Sequence, residues 1–315
     1  MGKNEPTVGG QAVIEGVMMK SPDRIATSVR RTNGEIESRV RPYVSLSRKQ
    51  KVLGIPVLRG AVNLFEQLFI GIGALTYSAE VVSAGEEEVT EKKDWKTSLW
   101  TGLTVVLALG VGMLLFFWLP MVIANLVGVK GSVLFNIVDG AIRLGIFFAY
   151  LLALSTWKEM RRVFEYHGAE HMSIHAFEAG IELTVKNVRK YTTRHARCGT
   201  SFLLVVMVVS VIVFIFMGRP ETLLHRLRRL LAVPLIAGLS YEIIRFAGKH
   251  QGGALMRIVT APGLLLQKFT TREPSDDQIE VALEALKHAT GMKAAGEAAG
   301  TATGAEVATQ DAGSN

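Results

Sequence analysis

Three of the chain's seven histidines fall within nine residues, in the run Tyr166-His167-Gly168-Ala169-Glu170-His171-Met172-Ser173-Ile174-His175. At about 100° per residue, a helix puts His167, Glu170, His171, Ile174, His175 and Glu178 on one face. Two imidazoles at i and i+4 can each turn a ring nitrogen toward one divalent cation. A carboxylate between them stands where it can take a proton from a water polarised by that cation. The pattern is HxxEH, the inverse of HExxH. Imidazole and carboxylate suit zinc, and a hydrolytic zinc site keeps one position open for water. His167 and His171 are therefore candidate metal ligands, with Zn2+ the expected divalent ion, and Glu170 is the candidate catalytic base. The competing reading of the same residues is a solvated polar helix face.

Such a site needs a third protein ligand. In its HxxEH the segment resembles the inverzincins, whose third ligand is a glutamate well downstream. Glu242, in Ser240-Tyr241-Glu242-Ile243-Ile244-Arg245, lies 71 residues beyond His171. It interrupts an apolar stretch, and an ionisable residue in such a place is a functional candidate. Glu242 is the first choice as third ligand; pairing with Arg245 one turn on is its bland alternative. His175, Glu178, His195 and Cys198 are the other candidates. The run Arg194-His195-Ala196-Arg197-Cys198-Gly199-Thr200 gathers two guanidiniums, an imidazole and the only thiol of the chain. Arginines there can hold a phosphate or an oxyanion, and Arg197 is assigned a catalytic role with Glu170. Cys198 beside them is a candidate thiolate. Glu15-Gly16, Arg59-Gly60 and Thr270-Thr271-Arg272-Glu273-Pro274 are weaker candidates.

The elements that position these residues are largely apolar. Every residue from Thr97 to Val129 lacks a formal charge, well beyond the roughly 20 residues that span hydrocarbon. This predicts a helix from 98 to 126, kinked near Pro120. Gly199 to Gly218 is also uncharged and is read as a second clear span. Residues 133–157 are apolar except for Asp139 and Arg143, which sit at i,i+4 and can pair. Residues 230–247 are apolar until Glu242 and Arg245. Both are read as membrane helices with buried polar faces. Residues 56–83 carry Arg59, Asn63, Glu66 and Glu80, and this helix either lies at the interface or enters the bilayer.

Lys and Arg orient the spans. Eleven occur in the first 60 residues and eight between Lys158 and Arg197, against Lys130 alone in the loop between the first two spans. The N-terminus and the HxxEH segment are thereby expected on the cytoplasmic side of a bacterial cytoplasmic (inner) membrane. Arg219, Arg226, Arg228 and Arg229 run against the rule. No apolar signal segment is visible in Met1-Gly-Lys-Asn-Glu-Pro-Thr-Val-Gly-Gly10.

The expected fold is thus an α-helical polytopic membrane protein, with about four transmembrane helices and a small N-terminal β-structured cytoplasmic region. Residues 1–55 form the β-rich region. Gln11 to Met19 reads as a strand, and the runs Ile25–Arg31 and Glu35–Val40 flank Asn33-Gly34, a strong hairpin signal. A charged linker covers 84–96, the transmembrane domain 97–250 with its cytoplasmic segment 158–198, and a C-terminal cytoplasmic segment 251–290. In the last of these Ser275 and Gln278 form a capping box. Residues 291–315 read as a disordered tail. Of 315 residues 49% are hydrophobic and 20% charged, which excludes a disordered chain. A single cysteine excludes a disulfide framework. The net charge of +7, beside such apolar runs, points to lipid rather than nucleic acid.

The stretches GGQAVIEGVMMKSP (9–22), FEYHGAEH (164–171), RHARCGTSFL (194–203), SYEIIRFAGKH (240–250) and TTREP (270–274) resemble the YqhQ-like bacterial membrane proteins. They span nearly the whole chain in order. Met172 stands where that family often has Lys, and Ala196 where it often has Pro. The resemblance implies an integral membrane protein, described in general terms as a metal-dependent enzyme, and it brings no reaction and no catalytic residues. The expected function is a membrane-embedded, metal-dependent hydrolase acting at the cytoplasmic membrane surface on a peptide or lipid-linked substrate. Its partners are then the bilayer and an anionic lipid or membrane-associated substrate. The alternative is a non-catalytic scaffold or assembly factor whose β-region binds a cytoplasmic partner.

Overall fold

The computed structural model describes residues 8–84, 95–196, 198–249 and 253–292. Most of the linker expected at 84–96 and of the tail expected at 291–315 lies outside these residues, as does Arg197.

The chain opens with four antiparallel strands, β1 (Gly9–Val13), β2 (Gly16–Lys20), β3 (Arg24–Arg30) and β4 (Ile36–Pro42), in that spatial order. The hairpin at Asn33-Gly34 forms as its residues dictate, with Gly34 at φ +93°. The single strand expected from Gln11 to Met19 is instead two strands joined at Ile14-Glu15. Nothing in that dipeptide signals a turn. Glu15 adopts φ +51°, which costs a non-glycine residue roughly 1–2 kcal/mol. The conformation is held from outside by Arg162, which grips the Glu15 carboxylate, and by the Tyr166 hydroxyl, which donates to it.

Two short turns, α1 (Leu46–Lys49) and a 3₁₀ turn at Lys51–Gly54, lead into the long helix α2 (Leu58–Ala84). Then come α3 (Trp95–Met113), a π-helical turn at Leu114–Trp118 and α4 (Leu119–Leu126). The widened turn ends just before Pro120, whose missing N–H and bulky ring disrupt the ladder there. Helices α5 (Ser132–Thr156), α6 (Lys158–Glu178) and the single turn α7 (Val185–Val188) follow. The remainder is α8 (Gly199–Met217), α9 (Leu223–Leu231), α10 (Val233–Lys249), α11 (Ala254–Thr270) and α12 (Asp276–Thr290).

The protein is mostly helical, and among the described residues four helical segments are long and apolar enough to cross a membrane: 58–84, 99–126, 132–156 and 199–217. The first of these is the helix expected at the interface or in the bilayer; the stretch 230–247, expected to span, is not among the four. That stretch is broken at Ala232 into α9 and α10, with Pro234 just past the break.

The sheet is covered on both faces. Val17, Met19 and Ala26 face α6 and α12, and the core between them includes Tyr166, Met172, Ile279, Leu283 and Leu286. Met18, Val29 and Val13 face α2 through Ala74, Tyr77 and Val81. Burying each large side chain of this kind contributes about 1.5–3 kcal/mol. The capping box that starts α12 forms as expected, with Ser275 Oγ accepting from Gln278 N and Gln278 Oε1 from Ser275 N.

Candidate metal centre

Helix α6 carries the HxxEH face, and two segments lie along it. The first is Thr192–Ala196, on the approach to α8. The second is the end of α11 at Thr270 with the extended Thr271–Arg272 that follows it. Arg272 N donates to Phe164 O at 2.9 Å. This contact is possible only because residue 168 is glycine: a Cβ there would collide with the Arg272 carbonyl oxygen. Gly168→Ala is therefore expected to displace the 270–272 segment and cost about 1–3 kcal/mol. Its check is thermal unfolding in detergent, with an unchanged midpoint counting against the packing just described.

Those two segments aim the histidines. His167 Nδ1 lies 2.7 Å from Thr270 O, and His171 Nδ1 lies 2.6 Å from Thr193 O. A carbonyl can only accept, so each neutral ring carries its proton on Nδ1 and leaves the Nε2 lone pair free. Metal-ligating histidines are characteristically oriented in this way. His167 Nε2 is 3.3 Å from Cys198 Sγ, and the ligand atoms of His167, His171 and Cys198 all lie within 4.8 Å of one another. Ligands around one zinc ion sit about 3.3–3.6 Å apart, so the trio would need to contract by about 1 Å. Burial holds His171 far below the usual imidazole range, at about 2, so its ring is neutral and fit to ligate.

Cys198 caps the N-terminus of α8, with Thr200 N at 3.4 Å from its sulfur. Burial pushes its thiol up, and hydrogen bonds from Thr200 and Ser201 oppose that shift. A cation would add to the second influence and displace the proton.

Glu170 lies beside this trio rather than in it. Its carboxylate is 3.9 Å from His167 Nε2 and accepts the backbone N–H of Gly10. Strand β1 runs so close that a Cβ on Gly10 would stand 2.8 Å from Glu170 Cγ. Burial pushes the carboxyl up to about 7, partly offset by His167. That is the range in which a general base works best near neutral pH.

A second trio adjoins the first. The ligand atoms of His175, Glu178 and His195 also lie within 4.8 Å of one another. His175 Nε2 is 2.9 Å from Arg194 O, and His195 Nε2 is 3.4 Å from Glu178. Burial lowers His195 to about 4. Buried Gln267 clamps the His195 backbone, accepting from its N and donating to its O. The four rings form a row, with centroids 4.4 Å apart for His167–His171, 5.8 Å for His171–His195 and 4.5 Å for His195–His175.

The structure thus brings His167, Glu170, His171 and Cys198 together and sets His175, Glu178 and His195 next to them. It places Glu242 elsewhere, which corrects the first choice of third ligand. Both Glu242 oxygens are engaged by Arg59 of α2, with Arg59 Nε 2.7 Å from Oε1. The third member of the trio is Cys198, one of the other candidates. Thr193, Thr270, Gly10 and Gln267 were not foreseen as parts of the site. Three of them act through backbone atoms, which every residue type offers. Only the TTREP run containing Thr270 carried a weak signal.

Residues 55–292 match a family model described as "Protein of unknown function (DUF1385)". The chain is 32% identical over 307 residues to the uncharacterized protein YqhQ of Bacillus subtilis (strain 168), an alignment covering 94% of this chain and 96% of that relative. No solved structure matches.

Proposed function

The chain belongs to the DUF1385 family, and on that premise we propose that it is a membrane-embedded, metal-dependent hydrolase with zinc at His167, His171 and Cys198. One observation carries the reading: two carbonyl-anchored imidazoles present their free nitrogens to a buried thiol, beside a buried carboxyl poised near neutrality. The ion would supply Lewis acidity. Glu170 takes the proton of the attacking water and returns it to the leaving group. Exposed Arg194, with Arg197, meets negative charge on the substrate or intermediate. The substrate class is a peptide or a lipid-linked ester, reached at the membrane surface.

The site faces the cytoplasm in this reading. The loop arginines that run against the positive-inside rule have structural work instead. Arg219 donates to Val129 O and Asn125 Oδ1, Arg226 lies over the Trp118 ring, and buried Arg229 donates to Asn136 Oδ1 and Gly218 O. Three of the four thus hold helix ends together, which weakens their vote on orientation. The scaffold reading would have to use the sheet's outer strands β1 and β4, because both sheet faces are covered.

The test is metal content of detergent-purified protein beside a His167→Ala/His171→Ala variant that still folds. About one zinc per chain in the wild type, lost in the variant, is the expected result. No stoichiometric metal after reconstitution would overturn the proposal.

A further inference from the structure

Helix α2 is apolar and long, yet the way it is packed is incompatible with a crossing. The argument rests on the membrane reading above. Strands β1 and β2 pack on α6, and β2 and β3 pack on α12. The sheet, α6 and α12 therefore lie on one side of the bilayer. Between β4 and α6 come three segments apolar enough to cross: α2, the α3–α4 unit and α5. A chain that leaves and returns to one side crosses an even number of times, so one of the three does not cross.

The contacts single out α2. Its inner face is hydrogen-bonded to the β-region along most of its length. Glu66 accepts from Tyr43, Ser45 and Leu46 N, Gln67 from Lys20, and Ser78 Oγ from Ile14 N, while Tyr77 donates to Glu37. Were α2 to cross, the sheet and its charged residues would enter hydrocarbon with it, where open strand edges are not tolerated. In contrast, α3 exposes Leu99, Leu103, Val106 and Leu107. Among the described residues nothing polar is laid along it.

The return after α8 must then come from the chain beyond it. Ile236 of α10 packs with Val209 and Phe214 in the C-terminal half of α8, while Gly263 of α11 meets Ser201 in its first turn. Helices α10 and α11 together bring the chain back to α12.

We infer that α2 lies on the surface of the bilayer its neighbours cross, with the face bearing Phe65, Leu68, Phe69 and Leu75 against lipid. These side chains are exposed, at the three- and four-residue spacing of one helix face; Phe65, Leu68 and Leu75 point away from the sheet, and Phe69 marks the edge of the face, beside Arg39 and Arg41 of β4. The start of the helix is tied to the bundle by another of its faces, where buried Gly60 meets Gly238 and Tyr241 of α10. Exposed basic residues border it at Arg41, Arg48, Lys49 and Lys51, where they meet lipid phosphates. Exposed Val52 and Ile55 beside them give the turn before α2 the alternation of an interfacial anchor.

The experiment uses the full chain in phosphatidylethanolamine/phosphatidylglycerol vesicles. Spin labels are placed at Phe65→Cys, Phe69→Cys, Leu75→Cys and, in α3, Leu107→Cys, with the parent chain as blank for buried Cys198. Depth is read from relaxation by oxygen against a water-soluble nickel chelate. The expected result is one shallow depth for all three α2 labels, roughly 5–10 Å below the phosphates, and a deep Leu107 label. Depth that varies along α2 and passes through the bilayer centre, or α2 labels in open water beside a deep Leu107, would overturn the inference. A Leu107 label in water would instead overturn the membrane reading on which it rests.

Discussion

Loaded with Co2+, the wild-type protein is expected to show thiolate-to-cobalt charge-transfer absorption, and Cys198→Ala to abolish it. Glu170→Gln is expected to keep that absorption and lower turnover by about 10²–10⁴-fold. The split follows from geometry. Cys198 Sγ is 3.3 Å from His167 Nε2, inside the ligand trio. Glu170 stands outside it, its carboxylate held by Gly10 N and lifted to about 7 by burial. Glutamine preserves the shape and the acceptor oxygen but cannot accept a proton. If Glu170→Gln instead loses the metal, the carboxylate is itself a ligand and the base must be sought elsewhere. If the wild type binds Co2+ without that band, the thiol is a bystander and the second trio, which has no sulfur, is the place to look.

Asp139→Ala is expected to be the most destabilising single substitution outside the site, at about 3–5 kcal/mol. Asp139, Arg143 and Arg229 are all buried. Arg143 donates to Asp139 at 2.7 Å and to Ser210 Oγ at 3.0 Å, with Phe214 beneath its guanidinium. Removing the carboxylate leaves two buried guanidiniums without their anion: Arg143 keeps only Ser210 Oγ, and Arg229 keeps Asn136 Oδ1 and Gly218 O. The double change Asp139→Leu/Arg143→Leu should recover most of the loss, since replacing a buried ion pair by apolar residues is often neutral. Thermal unfolding in detergent measures both. A single-variant cost below about 1 kcal/mol would mean that water reaches the pair, as it would in a polar path through the bundle.

What the sequence revealed follows the range of the forces involved. The segments 99–126, 132–156 and 199–217 were readable because long uncharged runs need no knowledge of the rest of the chain. The π-helical turn before Pro120 and the capping box at Ser275 are equally local. The i,i+4 pair Asp139–Arg143 was legible for the same reason, and so was the HxxEH face. The Ile14-Glu15 turn was not, because what holds it is Arg162, 147 residues away. Nor was the fate of Glu242, whose partner Arg59 lies 183 residues back. Cys198 was among the candidates, but sequence separation says nothing of distance. Glu242 ranked above it on a spacing borrowed from another family.

Strands β2 and β3 rest on α12, and Arg30 reaches Glu280 across 250 residues of chain. At 5–20 residues per second of synthesis, the first hairpins emerge roughly 10–50 s before the helix that covers them. For that interval Val17, Met19 and Ala26 have no complete cover, and every spanning segment is made meanwhile. The proposed metal site shares this timetable, because Thr270 must arrive to set the His167 ring. A ribosome that stalls before residue 270 thus releases a chain that cannot hold the ion as described. Completion of the proposed centre is thereby tied to completion of the polypeptide, and until then the apolar face of the sheet stays partly uncovered.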